Sequence, residues 1–172
     1  MTAEEFVSRL KDLTPSVETL ASEGISPETI AIIREARMIK EKGTQSLHHN
    51  PLKRLIDFYD CSKAYIGMVR FAERLETINN LTTIGTVEVD PLVIDDITDE
   101  VFVMEAYEDN VLWYCAASEA QFLDAIYRVA SFLAQRPDLE DREGRRSAAI
   151  DATILAGGDR YADFYHMLLC SD

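Results

Sequence analysis

No lysine or arginine occurs between Leu75 and Tyr127, a run of 53 residues in which 12 acids stand without a base. Outside it the signs nearly balance: residues 1–74 hold 11 bases and 11 acids, residues 128–172 hold 6 and 8. Almost all of the net charge of -14 therefore arises in the middle third of the chain. A field of that sign repels nucleic acid and anionic membranes, both of which need clustered Lys and Arg to displace counterions, and it attracts basic partners. Net acidity alone serves solubility, but a solvated surface normally interleaves both signs, and here one sign is missing.

Other scarcities narrow the field further. The three cysteines, Cys61, Cys115 and Cys170, lie far apart, form no CxxC pair and are odd in number. This disfavours a disulfide framework or a zinc site and suits reduced or buried thiols with no chemical role. No apolar stretch approaches the roughly 20 residues that span a bilayer, and Glu4 and Glu5 follow Met1 closely. A cytoplasmic protein with no membrane association is expected. With 172 residues, 47% hydrophobic and 28% charged, the chain is expected to fold as a single domain over residues 1–172.

Catalytic and metal-binding patterns are equally sparse. His48-His49 is the one histidine pair, and neighbouring residues project differently with no third ligand placed by spacing, so an exposed polar pair is the ordinary reading. His166 lies in a helical segment beside Tyr165 and suits a surface or core-edge position. Gly157-Gly158-Asp159 follows a helix and lacks GK[ST] or GxGxxG, so it reads as a helix break. Asp95-Asp96 with Asp99-Glu100 offers oxygens to calcium, but DDITDE supplies no glycine for the sharp turn. Neither a catalytic residue, a cofactor nor a metal is assigned, and no enzyme activity is expected.

What is present is strong local grammar. Thr2 with Glu5 forms a capping-box pattern, and Thr14-Pro15, Ser26-Pro27 and Asn50-Pro51 each set a capping residue before a proline at a first helical position. Four helix starts are expected before residue 60, with Gly24 and Gly43 at helix ends and a loop from Gly43 to Pro51. Tyr65 to Ala72 and Thr83 to Val89 have strand composition, with Asn79-Asn80 as a turn. Leu92 to Asp95, Val101 to Tyr107 and Val111 to Ala116 continue an antiparallel meander. Val101 to Met104 is apolar on both alternation sets and should be covered on both faces, while Trp113 reads as core packing. Ser118 and Gln121 cap a helix carrying Phe122, Ala125, Ile126, Val129, Phe132 and Leu133 until Pro137. Residues 137–146 read as an exposed linker, followed by helices at 147–156 and about 159–169, the latter striped by Tyr161, Phe164, Tyr165 and Leu168. The expected fold is α+β, a central antiparallel sheet of about five or six strands flanked by N- and C-terminal helices.

Where the meander runs into Ala117-Ser118-Glu119-Ala120-Gln121-Phe122-Leu123-Asp124, the chain resembles the SUKH superfamily. Its members have a helix leading to a meander, a short LVID strand, a hairpin, a strand ending in A-S-x-x-x-F-L, and a helix that closes the sheet. The corresponding pieces are Pro51 to Tyr59, Ile84 to Val89, Leu92 to Asp95, Val101 to Tyr107, Val111 to Ala116 and Ser118 to Leu133. The resemblance covers residues 50–135, leaving a helical extension at 1–45 and C-terminal helices at 147–170 outside it. Asp60-Cys61-Ser62-Lys63 stands where the family often has N-G-G, and Val89-Asp90-Pro91 where it has Gly-Asp.

The resemblance implies a non-enzymatic role, since many bacterial members are similar to immunity proteins that neutralise toxins, frequently nucleases, encoded beside them. That implication meets the charge pattern. Carboxylates set where phosphates would lie can block the basic cleft of a toxin domain and speed association by long-range steering. The expected contacts are Asp95, Asp96, Asp99, Glu100, Glu105, Glu108 and Asp109, with Glu88 and Asp90 behind them. The alternative is an adaptor or regulatory scaffold that binds through an apolar patch on the terminal helices.

Overall fold

The computed structural model describes residues 1–35, 39–43, 48–108, 110–135 and 140–170. Along the chain run α1 (Ala3–Asp12), α2 (Val17–Ser22), α3 (Pro27–Glu35), β1 (Lys40–Glu41), α4 (Pro51–Phe58), β2 (Tyr59–Asp60), β3 (Tyr65–Ile66), β4 (Val69–Ile78), β5 (Leu81–Val87), β6 (Asp90–Asp95), β7 (Val101–Met104) and β8 (Val111–Ala116). Then come α5 (Glu119–Ala134), α6 (Arg142–Ala156), a 3-10 turn (Asp159–Tyr161) and α7 (Ala162–Cys170). The fold is α+β. Strands β3 to β8 form a six-stranded antiparallel sheet in sequential order, and β1 pairs with β2 in a small second ladder.

The caps explain most boundaries. Thr2 Oγ1 accepts from Glu5 N–H at 3.2 Å while Glu5 Oε2 accepts from Thr2 N–H at 2.9 Å, completing the box. Ser26 caps α3, its Oγ accepting from Thr29 N–H at 3.2 Å. The start expected at Thr14-Pro15 lies two residues later, because Ser16 supplies the oxygen that accepts from Thr19 N–H at 3.1 Å and leaves Pro15 outside. The helix expected from Ser147 begins at Arg142, inside the segment read as linker, because Asp141 accepts from Gly144 N–H at 2.9 Å. Residues 136–139 and 44–47, parts of the expected linker and loop, lie outside the described residues.

Strand limits shift for reasons of turn geometry. The single strand expected over Tyr65 to Ala72 is broken by a turn at Gly67, whose left-handed φ of 58° glycine adopts at no steric cost. Asn79 and Asn80 both have positive φ, 50° and 65°, as the tight turn between β4 and β5 requires. The strand expected to reach Tyr107 stops at Met104, where the chain turns away toward Asn110. At Gly85 a side chain is excluded outright, since a Cβ there would sit 2.2 Å from the Arg70 carbonyl oxygen.

Val69, Phe71, Ile84, Leu92, Ile94, Val101, Val103 and Cys115 turn one sheet face toward the helices, where they meet Phe6, Leu52, Leu55, Phe122, Ile126 and Phe164. Both terminal helical regions join this core: Ala3, Phe6 and Val7 of α1 are buried in it, as are Tyr161, Phe164, Tyr165 and Leu169 near the other end. Ala148, Ala149, Ala152 and Ala156 are fully buried, and their small size lets α6 lie close against its neighbours. As expected, β7 is buried on both faces, with Val101, Phe102 and Val103 all enclosed.

One buried charge joins two helices. Glu119, the first residue of α5, is 2% exposed and its carboxylate accepts from Leu52 N–H at 2.9 Å, Lys53 N–H at 3.1 Å and Asn50 Nδ2 at 3.0 Å. It thus caps α4 from 67 residues away in sequence, in place of Asn50, whose own side chain makes no cap bond. Removing it strands two amide donors at the helix end. Glu119→Ala is expected to cost about 2–3 kcal/mol in urea unfolding, and Glu119→Gln markedly less because an amide oxygen still accepts.

Candidate partner-binding surface

An up-and-down meander sends its turns alternately to two ends. The turns at Asn79-Asn80 and at residues 96–100 share one end of the sheet, and the turn at Glu88-Val89 and the β7–β8 connection share the other. A six-residue strand such as β6 separates the ends by roughly 20 Å. The acids singled out by sequence therefore form two groups. Asp95, Asp96, Asp99 and Glu100 lie at the first end, Glu88, Asp90, Glu105 and Glu108 at the second, and Asp109 lies outside the described residues.

At the first end, bases from outside the acidic run fold back onto it. Lys53 Nζ of α4 lies 2.8 Å from Asp96 Oδ1, and Thr82 Oγ1 donates to the same carboxylate at 2.9 Å. Arg160 Nε lies 2.9 Å from Glu100 Oε1, the Tyr161 hydroxyl donates to it at 3.0 Å, and the Arg160 guanidinium stands 4.0 Å over the Tyr114 ring. Burial, then the hydrogen bond to Glu100, pushes the Tyr161 phenol above its ordinary pKa. Asp95 accepts from Ile97 N–H at 2.8 Å, and Asp99 holds a left-handed backbone with φ of 61°. These two remain without a base among the described residues.

At the second end no such compensation occurs. Among the described residues no lysine, arginine or histidine pairs with Glu88, Asp90, Glu105 or Glu108. Asp90 Oδ1 accepts from Ala106 N–H at 3.0 Å, which ties the two turns into one surface. Glu108 accepts from Asn110 Nδ2 at 2.7 Å, and Glu105 N–H donates to the Asn110 carbonyl at 3.0 Å. Beside these acids stand Val89 and Tyr107, 75% and 96% exposed, which the sequence reading placed within strands. Their signal was local: Tyr107 sits in E-A-Y-E-D-N, a run too polar to continue β7.

Elsewhere the chemistry is quiet. His48 Nε2 lies 3.5 Å from Asp57 Oδ2, and among the described residues no group of three or more His, Cys, Asp or Glu is arranged to hold a metal. No helix of the described residues is long and apolar enough to cross a membrane. Trp113 packs partly buried against the core, and Gly157 and Gly158, with φ of 119° and 111°, break the chain between α6 and the 3-10 turn. Searches of protein-family models, of curated proteins and of solved structures each found no match to this chain.

Cys61 and Cys115 are buried, and Cys170 is exposed. Burial raises the Cys61 thiol to about 12 and lifts Cys115 well above its ordinary value, so neither forms thiolate near neutral pH. Iodoacetamide at pH 8 should alkylate Cys170 alone in the native protein, with the other two reacting only after denaturation. Mass spectrometry of tryptic peptides reads the outcome, and rapid native labelling of Cys61 would contradict the packing.

Proposed function

We propose that this chain is a non-enzymatic binding protein, of the immunity type, that neutralises a basic toxin domain by covering its active surface with carboxylates. The observation that carries the reading is the base-free run itself: its acids project from turns of the sheet, and those at the second end form no ion pair among the described residues. A cleft that binds nucleic acid presents Lys and Arg at phosphate spacing. Carboxylates held in fixed turns occupy those positions without offering a scissile bond, and the long-range field raises the association rate. The resemblance to the SUKH superfamily supports the same reading. A second reading, an adaptor scaffold, draws on a separate patch: Ile150, Ile154 and Leu155 are exposed on α6.

Gene context gives the direct test. A neighbouring reading frame expressed alone should arrest growth, and co-expression of this chain should restore it through a stoichiometric, salt-sensitive complex. No toxicity from either neighbour, or toxicity that this chain fails to relieve, would count against the proposal. The chemistry has its own check. Changing Asp99, Glu105 and Glu108 together to Lys should leave folding nearly intact, since Asp99 and Glu108 are exposed, Glu105 is half-buried, and surface substitutions move stability by about 0.5 kcal/mol each, but should slow association with the toxin at low salt. The control triple Asp12, Glu28 and Glu41 to Lys alters net charge equally but outside the six-stranded sheet. Equal loss in both would assign binding to overall acidity.

A further inference from the structure

We infer that the partner docks on the second end of the sheet, through an apolar patch formed by Val89, Pro91, Met104, Tyr107, Val111 and Leu112. The patch is built by register. Met104 pairs with Val111, Leu92 pairs with Val103 so that Pro91 falls beside Met104, and these side chains point to the sheet face opposite the helical core. Leu112 is the extra residue of an irregularity between Val103 and Met104, which brings it out at the edge strand β8. The Asp90 to Ala106 bond then sets the turn carrying Tyr107 beside the one carrying Val89.

An exposed tyrosine at 96%, with aliphatic neighbours and a polar margin, has the make-up of an interface anchor. Charge selects what it meets. Glu88, Glu105 and Glu108 border the patch and form no ion pair among the described residues, so the occupant is a protein surface bearing an apolar recess ringed by Lys or Arg. A second copy of this chain is disfavoured, because stacking two such ends would bring their like-charged carboxylates together. The first end carries an exposed Ile97, but its Asp96 and Glu100 are already held by Lys53 and Arg160, which leaves less field to recruit a cation. The inference rests on the basic-partner reading above and specifies where and by what side chains that partner is held.

Two synthetic probes of equal positive charge separate the ideas: a peptide alternating Lys with Leu and Tyr, and a lysine oligomer. Titration of the full chain followed by backbone amide NMR at low salt should show the mixed peptide perturbing Val89, Tyr107, Val111 and Leu112. It should bind about tenfold more tightly than the lysine oligomer, and Tyr107→Ser should remove that advantage, as loss of an interface anchor does. Tyr107 is so exposed that its replacement should leave the thermal melt unchanged. Perturbations centred on Ile97 or on Ile154, equal binding of both probes, an unaffected Tyr107→Ser variant, or dimerisation of the chain through this end would each overturn the inference while leaving an acidic binding surface standing. Failure of both probes to bind at low salt would overturn the basic-partner reading, and this inference with it.

Discussion

The buried carboxylate of Glu119 is the polar contact that joins α5 to the start of α4. It sits at the junction where β8 gives way to α5, and it reaches across to the amino-terminal end of α4, accepting two backbone donors and one side-chain amide. A buried charge is tolerable only where such donors and a helix dipole compensate it. The same contact orients α4 so that Leu52, Leu55 and Ile56 face the sheet and Lys53 faces Asp96. A single acid from the base-free run thus positions the base that neutralises another.

This economy divides the acidic run by role. Glu119 is a cap, Asp124 receives the amino-terminal ammonium at 2.9 Å, and Asp96 and Glu100 are held by Lys53 and Arg160. The acids left over concentrate at the end of the sheet farthest from those bases. A meander's alternate turns face opposite ways, and α4 and the 3-10 turn bring Lys53 and Arg160 to only one of the two ends. Acids set in turns of a hydrogen-bonded sheet and free of ion pairs among the described residues are suited to recognition, because little order remains to be imposed on binding.

Much of the architecture was legible along the chain. Capping residues marked α1, α3 and α5, Pro51 at a first helical position marked α4, the Asn79-Asn80 pair marked a hairpin, and the doubly apolar Val101 to Val103 run marked a strand buried on both faces. Boundaries failed where a competing local feature outweighed composition: Ser16 over Thr14, Asp141 over the polar look of residues 137–146, and Gly67 within a β-branched stretch. The short β1–β2 ladder gave no sequence signal, for it depends on long-range support such as the Lys42 ammonium, which donates to the Ile56 carbonyl at 2.6 Å and to that of Glu73.

For the candidate surface, composition and order along the chain determined which residue types were available: a run of acids without a base, set between apolar strands. That information is one-dimensional and survives any folding. Which of those acids remain free is a matter of pairing across space, because Lys53 and Arg160 lie far from Asp96 and Glu100 in sequence and within 3 Å of them in the fold. Coulombic compensation acts over distances that chain order does not encode, so the contrast between an end with two acids in ion pairs and an end with none among the described residues arises only when helices and sheet come together.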